Sequence, residues 1–296
     1  MMFYRKNYRA YAKVNFGLNV LPKKNIGDEK TSEFHNIESI FQTIDLYDKL
    51  IVKKNKTIGC KIICDSMKLP KKNTLSDAFE AFCEITGLKN IGISVILKKG
   101  IPSGGGLGGG SADAAALVRA LQNIFNLKLN QSQLNFIASK TGSDVFFFMN
   151  CDKNGKGCAL VSGRGEIVQK INPRRKLNLL LIFPKQSSST KEAYSLLDKS
   201  YENGVMLKSP SFSKLETVYN SSVENWTFIN SFTPVISDSC KEIRLAINDL
   251  QKVGCCFAEM SGSGSTVYGV FTLRQQAISA GNLLGDSWNC KPVQTV

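Results

Sequence analysis

The stretch Pro102-Ser-Gly-Gly-Gly-Leu-Gly-Gly-Gly-Ser-Ala-Asp-Ala-Ala-Ala116 governs how the rest of the chain reads. Six of the seven residues from Gly104 to Gly110 are glycine. A loop stripped of side chains lets backbone N–H groups approach an anion, and a helix N-terminus behind it adds favourable partial charge. The flanks favour that use over a flexible linker. Residues 91–98, IGISVILK, read as a strand running in. Ser111–Phe125 reads as a helix running out, with Ala115, Val118, Leu121 and Phe125 on one stripe. A Walker A loop is excluded, because it ends Gly-Lys-Ser/Thr and this one ends Gly110-Ser111-Ala112. Gly104, Gly106 and Gly109 satisfy G-x-G-x-x-G, but no Asp or Glu lies between Ala114 and Ser143 to take a ribose hydroxyl.

A second glycine-rich loop, Met260-Ser-Gly-Ser-Gly-Ser-Thr266, sits inside the hairpin-like FAEMSGSGSTVYGVF. Alone it reads equally as a long turn. Beside the first loop it reads as another wall of a phosphate pocket. Residues 10–20 alternate as a strand, with Ala10, Ala12, Val14, Phe16, Leu18 and Val20 on one face and Tyr11, Lys13, Asn15 and Asn19 on the other. That polar face suits solvent or a cleft. Asp144, between Gly142-Ser143 and Val-Phe-Phe-Phe-Met, suits a helix cap or a catalytic base equally.

Further strands are expected at 49–53, 60–64 and 177–183. Helices are expected at 74–86 (capped by Thr74 or Ser76 and stopped by Gly87), at 131–140 before Gly142, and near 190–200, 239–252 and 274–285. The polar stretch 202–225 reads as containing flexible turns. Strands and helices mix without strict alternation, which predicts an α+β fold. A composition change near 170–176 divides the chain into domains 1–172 and 173–296.

The composition excludes several classes. Of 296 residues, 43% are apolar and 21% charged, an ordinary globular balance. The longest apolar runs, Leu179–Phe183 and Val145–Met149 among them, are five residues, whereas a membrane helix needs about 20. The opening MMFYRKNYRA lacks the apolar core of a signal peptide, so a cytoplasmic protein is expected. Nine scattered cysteines without C-x-x-C point to free thiols. His35 is the only histidine, which argues against clustered zinc ligands. A formal charge of +14 favours anionic partners, yet the lysines are dispersed and mostly suit a solvated surface. The oligomeric state is open between monomer and weak homodimer.

Four segments in order, spanning about residues 10 to 272, resemble the GHMP kinases. They are Ala12-Lys13-Val14-Asn15, the Gly-Leu-Gly-Gly-Gly-Ser-Ala-Asp-Ala-Ala loop, Gly142-Ser143-Asp144-Val145 and Met260-Ser-Gly-Ser-Gly-Ser265. The run Phe34-His35-Asn-Ile-Glu-Ser-Ile-Phe41-Gln42-Thr-Ile-Asp45 resembles the segment by which one branch of that family recognises cytidine. The resemblance implies an N-terminal domain like ribosomal protein S5 domain 2, a ferredoxin-like C-terminal domain and a site in the cleft between them. It implies ATP under Pro102, Ser103, Gly104, Gly105, Gly106, Leu107, Gly108, Gly109, Gly110, Ser111 and Ala112, with Lys99 and Asn73 near the nucleotide. Ser111 would lie near the phosphates and Mg²⁺. Asp144 would accept the proton of the attacking hydroxyl. Lys13 would stabilise the developing charge and keep the aspartate ionised. Substrate contacts would come from Asn15, from Phe34 by stacking, from His35 largely through its backbone, and from Thr190 and Tyr194. The implied partner is a small cytidine-diphosphate sugar alcohol rather than nucleic acid or membrane.

This chain departs from that pattern at four places. Phe34 follows Ser32-Glu33 where the family has tyrosine after glycine, and Tyr11, Ser143 and Phe146 stand for Pro, Ala and Pro. A mevalonate- or homoserine-type kinase would share the ATP loop without needing Phe34, His35 or Tyr194. An RNA-binding module would need basic residues interleaved with exposed aromatics on one face.

Overall fold

The computed structural model describes residues 6–23, 34–186 and 189–296. Ser32, Glu33, the first five residues and part of the Ser/Thr loop before Thr190 lie outside these. The described residues run through β1 (Lys6–Val20), β2 (Ile37–Lys54), β3 (Gly59–Cys64), α1 (Thr74–Thr86), β4 (Gly92–Lys98), α2 (Gly109–Phe125), α3 (Gln131–Thr141) and α4 (Ser143–Asn150). They continue with β5 (Cys158–Gly163), β6 (Ile167–Lys170), β7 (Asn178–Phe183), α5 (Thr190–Glu202), α6 (Phe212–Asn220), α7 (Phe232–Ser239) and α8 (Lys241–Lys252). The last elements are β8 (Phe257–Met260), β9 (Val267–Phe271), α9 (Arg274–Leu284) and β10 (Asn289–Gln294). The fold class is α+β, as expected.

The chain forms two compact units, each discontinuous in sequence. The first takes residues up to Ala12, Leu46–Ser103 and Gly108–Gly157; the second takes Lys13–Asp45, Gly104–Leu107 and Cys158–Val296. The cut near 172 read from composition divides the sequence and is kept as a proposal for the family's two domains.

In the first unit β3 pairs parallel to β4, and β4 pairs antiparallel to Lys49–Lys54 of β2. The helices α1 to α4 pack on one another. Helix α2 is buried from Ala112 to Val118 without a break, and its alanines allow neighbouring helices close approach. It begins two residues earlier than periodicity predicts, because Gly109 and Gly110 form its first turn behind the left-handed Gly108.

In the second unit Ile37–Gln42 of β2 pairs antiparallel to β5, which forms a hairpin with β6. A separate antiparallel sheet has the order β10-β7-β9-β8. Numbered by their place in this segment, the strands run 4-1-3-2, which is the split β-α-β of a ferredoxin-like layer. Central β7 and β9 are apolar on both faces, with Leu179 to Ile182 fully buried. The predicted hairpin is β8–β9.

Two sequence expectations need correction. The stretch 202–225 contains a helix, α6, anchored by buried Leu215 and Tyr219 one turn apart. The N-cap of α1 is Asn73, not Thr74 or Ser76: its side-chain oxygen accepts from Leu75 N and Ser76 N, while Ser76 Oγ accepts from Asn73 N. Of the two uses left open for the polar face of β1, solvent does not apply to Lys13 and Asn15, which are 2% and 1% exposed. The nine cysteines are free, and burial pushes the thiols of Cys60 and Cys158 up to about 12, well away from thiolate reactivity. No described helix is long and apolar enough to cross a membrane.

Candidate active site

In the second unit, β1 carries a buried polar centre. Lys13 Nζ donates to Asn15 Oδ1 at 2.6 Å and to the Gly106 carbonyl at 2.9 Å, and lies 4.8 Å from the centre of the Phe41 ring. Asn15 Nδ2 donates to Ser39 Oγ at 3.2 Å, and Ser261 Oγ donates to Gly106 O at 3.1 Å. Tyr268 closes the back of this centre by donating to the Asn15 carbonyl at 2.8 Å. Strand alternation brings Lys13 and Asn15 to one face, two residues apart.

The two glycine-rich loops meet here, backbone to backbone. Gly106 lies at φ +73°, and a Cβ on it would sit 2.0 Å from the Ser261 carbonyl. Thr266 N donates to Gly105 O at 3.3 Å. The reading of Met260–Thr266 as more than a turn therefore stands on contact. Asn230 supports it from behind by donating to Met260 O and Gly262 O, both at 2.8 Å. Thr190 Oγ1 lies 2.8 Å from Ser263 Oγ, so this residue also belongs beside the second loop.

In the first unit, the same long loop leads into α2. Thr74 Oγ1 donates to the Gly110 carbonyl at 2.9 Å and ties α1 to that first turn. Pro102, Ser103 and Gly104 are exposed, whereas Leu107 and Ala112 are buried and anchor the loop at its apolar points. Ser111 is half-buried in the first turn.

Lys99 does not point freely at this loop. Its ammonium is bonded to Asp48 and lies 3.2 Å from Asp113 Oδ2. Asp48 Oδ1 accepts the backbone N–H of Gly100 at 2.6 Å and of Ile101 at 2.8 Å, fixing the strand end from which the loop departs. Burial opposes the charge on Lys99, but Asp113 and Asp48 outweigh it and raise its pKa. Asn73 is likewise committed: beyond its cap, its Nδ2 donates to Pro70 O at 2.8 Å.

Sequence reading missed Asp48 and Asp113. Burial, then the neighbouring Asp48, pushes the Asp113 carboxyl well above the usual carboxylate range, against the pull of Lys99. Its Oδ1 is buried with no hydrogen-bond partner. A carboxyl with a raised folded-state pKa contributes stability at low pH that is lost as pH rises through that raised value. Asp113→Asn should remove this loss. Thermal melts of the two proteins should therefore diverge in favour of the variant as pH rises from mildly acid to mildly alkaline, and parallel curves would contradict the ionic reading.

Asp144 occupies the first turn of α4, half-buried, and the cap position belongs to Gly142. The simple N-cap reading of Asp144 is thereby set aside. A carboxylate in that turn is favoured by the helix dipole.

The residues read as cytidine contacts divide between two settings in the second unit. His35 is 7% exposed, and its ring stacks on Tyr194 with centroids 5.3 Å apart. His35 Nδ1 is 2.7 Å from the Leu21 carbonyl, to which it donates. Tyr194 also meets Phe232 nearly at right angles, with ring centroids 4.9 Å apart. Phe34 is 52% exposed, and the Arg164 guanidinium lies 3.8 Å from its ring centre. Arg164 is a further residue that sequence reading did not single out.

Two family models match this chain: the GHMP kinases N terminal domain over residues 73–151, and the GHMP kinases C terminal model over residues 211–286. Over 287 residues it is 35% identical to the 4-diphosphocytidyl-2-C-methyl-D-erythritol kinase of Treponema pallidum, covering 95% of this chain and 94% of that one. The chain belongs to the GHMP kinase family. It is therefore a kinase that uses a small-molecule substrate, with ATP as the family's phosphoryl donor. The kinase of the same name from Caldanaerobacter subterraneus subsp. tengcongensis is 39% identical, covering 92% of this chain and 90% of its own. A crystal structure of 4-(cytidine 5'-diphospho)-2C-methyl-D-erythritol kinase superposes with a TM-score of 0.79 at 24% identity, covering 98% of this chain and 99% of that one. That likeness establishes the two-domain α+β fold.

Proposed function

We propose that this kinase transfers the γ-phosphoryl group of ATP to the tertiary 2-hydroxyl of 4-diphosphocytidyl-2-C-methyl-D-erythritol, a step toward isoprenoid precursors in the cytoplasm. The observation that carries this reading is full-length similarity to kinases of that name, joined to the His35–Tyr194 stack that a mevalonate- or homoserine-type enzyme has no need of. Phosphoryl transfer asks the protein for positioning and charge stabilisation more than for covalent chemistry. Backbone N–H groups of the Pro102–Ala112 loop hold the triphosphate at the start of α2. The Ser111 hydroxyl, half-buried in that first turn, would help hold Mg²⁺ beside the phosphates. Mg²⁺ there would supply positive charge against the charge of the transferred group.

Asp144 takes the proton of the hindered tertiary alcohol. Lys13, oriented by Asn15 and the Gly106 carbonyl, supplies fixed positive charge for the oxygen as that proton leaves. Lys99 and Asn73 act on the nucleotide through the backbone they hold, and Asn15 and Thr190 line the acceptor side. Phe34 and Tyr194 provide the aromatic surfaces for cytosine. Phe34→Ala or Tyr194→Ala should raise the acceptor KM roughly ten- to a hundred-fold, because base–aromatic stacking contributes about 1–3 kcal/mol per base. The KM for ATP should stay unchanged, and steady-state kinetics in both substrates checks the split.

The experiment that tests the function is ADP release with a panel of acceptors: the cytidylyl sugar alcohol, free methylerythritol phosphate, mevalonate and homoserine. Turnover on the first alone is expected. Preference for mevalonate or homoserine would reassign the enzyme within its family. An RNA mobility shift at low salt with no ADP release from any acceptor would favour the nucleic-acid reading instead.

A further inference from the structure

One face of α5 presents Tyr194, Asp198 and Tyr201, spaced i, i+4, i+7, and only Tyr194 has a role in the function above. Asp198 is a fork between two stretches of chain. Its Oδ1 lies 2.7 Å from His35 Nε2, and its Oδ2 lies 2.8 Å from Lys23 Nζ. These stretches are already joined to each other, since Leu21 N donates to Asn36 O at 2.8 Å and His35 Nδ1 donates to Leu21 O. One helical turn further along, Tyr201 donates its hydroxyl to the Val20 carbonyl. The Asp198 carboxylate is 31% exposed, whereas the His35 side chain is 3% exposed.

The chemistry of His35 gives Asp198 its importance. The imidazole has no hydrogen-bonding atoms beyond its two nitrogens, and each faces an oxygen: the Leu21 carbonyl on one side and the Asp198 carboxylate on the other. The Nε2–Oδ1 contact of 2.7 Å is close without the alignment of a full hydrogen bond, and it sets the carboxylate against the ring edge opposite Leu21. The ring is thereby held stacked against Tyr194, with the planes 26° apart, and the backbone of Phe34 and His35 is carried with it.

We propose that Asp198 is a positioning residue for acceptor recognition, clasping His35 and Lys23 so that the Phe34–His35 backbone stands at a set distance from Tyr194. The inference rests on the cytidylyl-acceptor reading above. Asp198 itself touches no substrate; it acts through His35. Pre-organising a recognition surface lowers the cost of ordering it on binding. Its loss should therefore show in acceptor affinity and leave the phosphoryl-transfer step alone.

The test uses the full chain and cytidine diphosphate as the probe. Asp198→Ala should weaken cytidine diphosphate binding by calorimetry, and raise the acceptor KM, about tenfold. Its kcat and its KM for ATP should stay near wild type, and Asp198→Glu should recover part of the affinity. His35 is the chain's only histidine, so its ring nitrogens give a single assignable pair in ¹⁵N NMR. In Asp198→Asn, which keeps the side-chain shape should the alanine variant fail to fold, the Nε2 resonance should move.

Unchanged cytidine diphosphate affinity in these variants, or an unmoved Nε2 resonance, overturns the proposal and leaves the kinase assignment standing. An equal loss of ATP affinity overturns it as well, since that would mark general damage to the fold. If the wild-type protein itself neither binds cytidine diphosphate nor phosphorylates the cytidylyl acceptor, the functional reading fails and this inference falls with it.

Discussion

Asp144→Asn is expected to lower kcat by roughly 10²–10⁴, the usual worth of a placed general base. The amide keeps the shape and size of the carboxylate but cannot accept the hydroxyl proton. Because Gly142 holds the cap position of α4, the variant loses no side-chain cap, and its melting temperature should stay close to wild type. The KM for ATP should be unaffected, since nucleotide binding is assigned to the glycine loop. Single-turnover kinetics at saturating ATP isolates the chemical step. Near wild-type turnover would remove the base assignment and leave Asp144 as a charge favoured by a helix dipole.

Local patterns wrote much of this fold. The alternation in residues 10–20 is β1, the Ala-rich stripe after the glycine loop is α2, and the FAEM and VYGVF segments pair as β8 and β9. What local patterns could not carry is burial set by distant partners. The polar face of β1 stayed open between solvent and a cleft because nothing near it in sequence shows that Phe41, Gly106 and Ser261 close over Lys13. Strand β10, NCKPVQ, has neither alternation nor apolar bulk. It forms by pairing with β7 at the sheet edge, where a proline is tolerated. Helix α6 was obscured by its polar surroundings, although Leu215 and Tyr219 one turn apart were a signal.

The candidate site divides in the same way. The glycine loop, Lys13 and Asp144 announce themselves as short motifs. Asp48, Lys99 and Asp113 do not, because the cluster joins residues from β2, the end of β4 and α2. One clue was present: an acidic residue inside the apolar run of α2 demands a buried cation, and Lys99 lies fourteen positions earlier. Asp198 was invisible for a different reason. Only in the fold does its carboxylate reach both Lys23 and His35.

Gly106→Ala should be far more damaging than Gly104→Ala, although the two positions share nearly the same backbone, φ +73° and +72°. Any L-residue there carries about 1–2 kcal/mol of left-handed strain. At Gly104 that is the whole cost, because a Cβ would meet nothing within 4 Å. At Gly106 the same methyl would lie 2.0 Å from the Ser261 carbonyl and 3.2 Å from Gly264 N. Both are backbone atoms, so the two glycine loops must move apart. The movement withdraws the Gly106 carbonyl from Lys13 Nζ and from Ser261 Oγ, which leaves a buried ammonium short of an acceptor. Leaving such a group unsatisfied costs about 1–3 kcal/mol more, or above that for a charge. Gly104→Ala should therefore leave Lys13 in place and melt only slightly earlier. Gly106→Ala should lose ATP affinity by roughly a hundred-fold or more, lose kcat through the displaced Lys13, and melt clearly below Gly104→Ala. Isothermal titration with a non-hydrolysable ATP analogue, beside thermal melts of both variants, separates these costs. If the two variants behaved alike, backbone strain alone would explain them, and the contact between the glycine loops would not be what holds Lys13 in place.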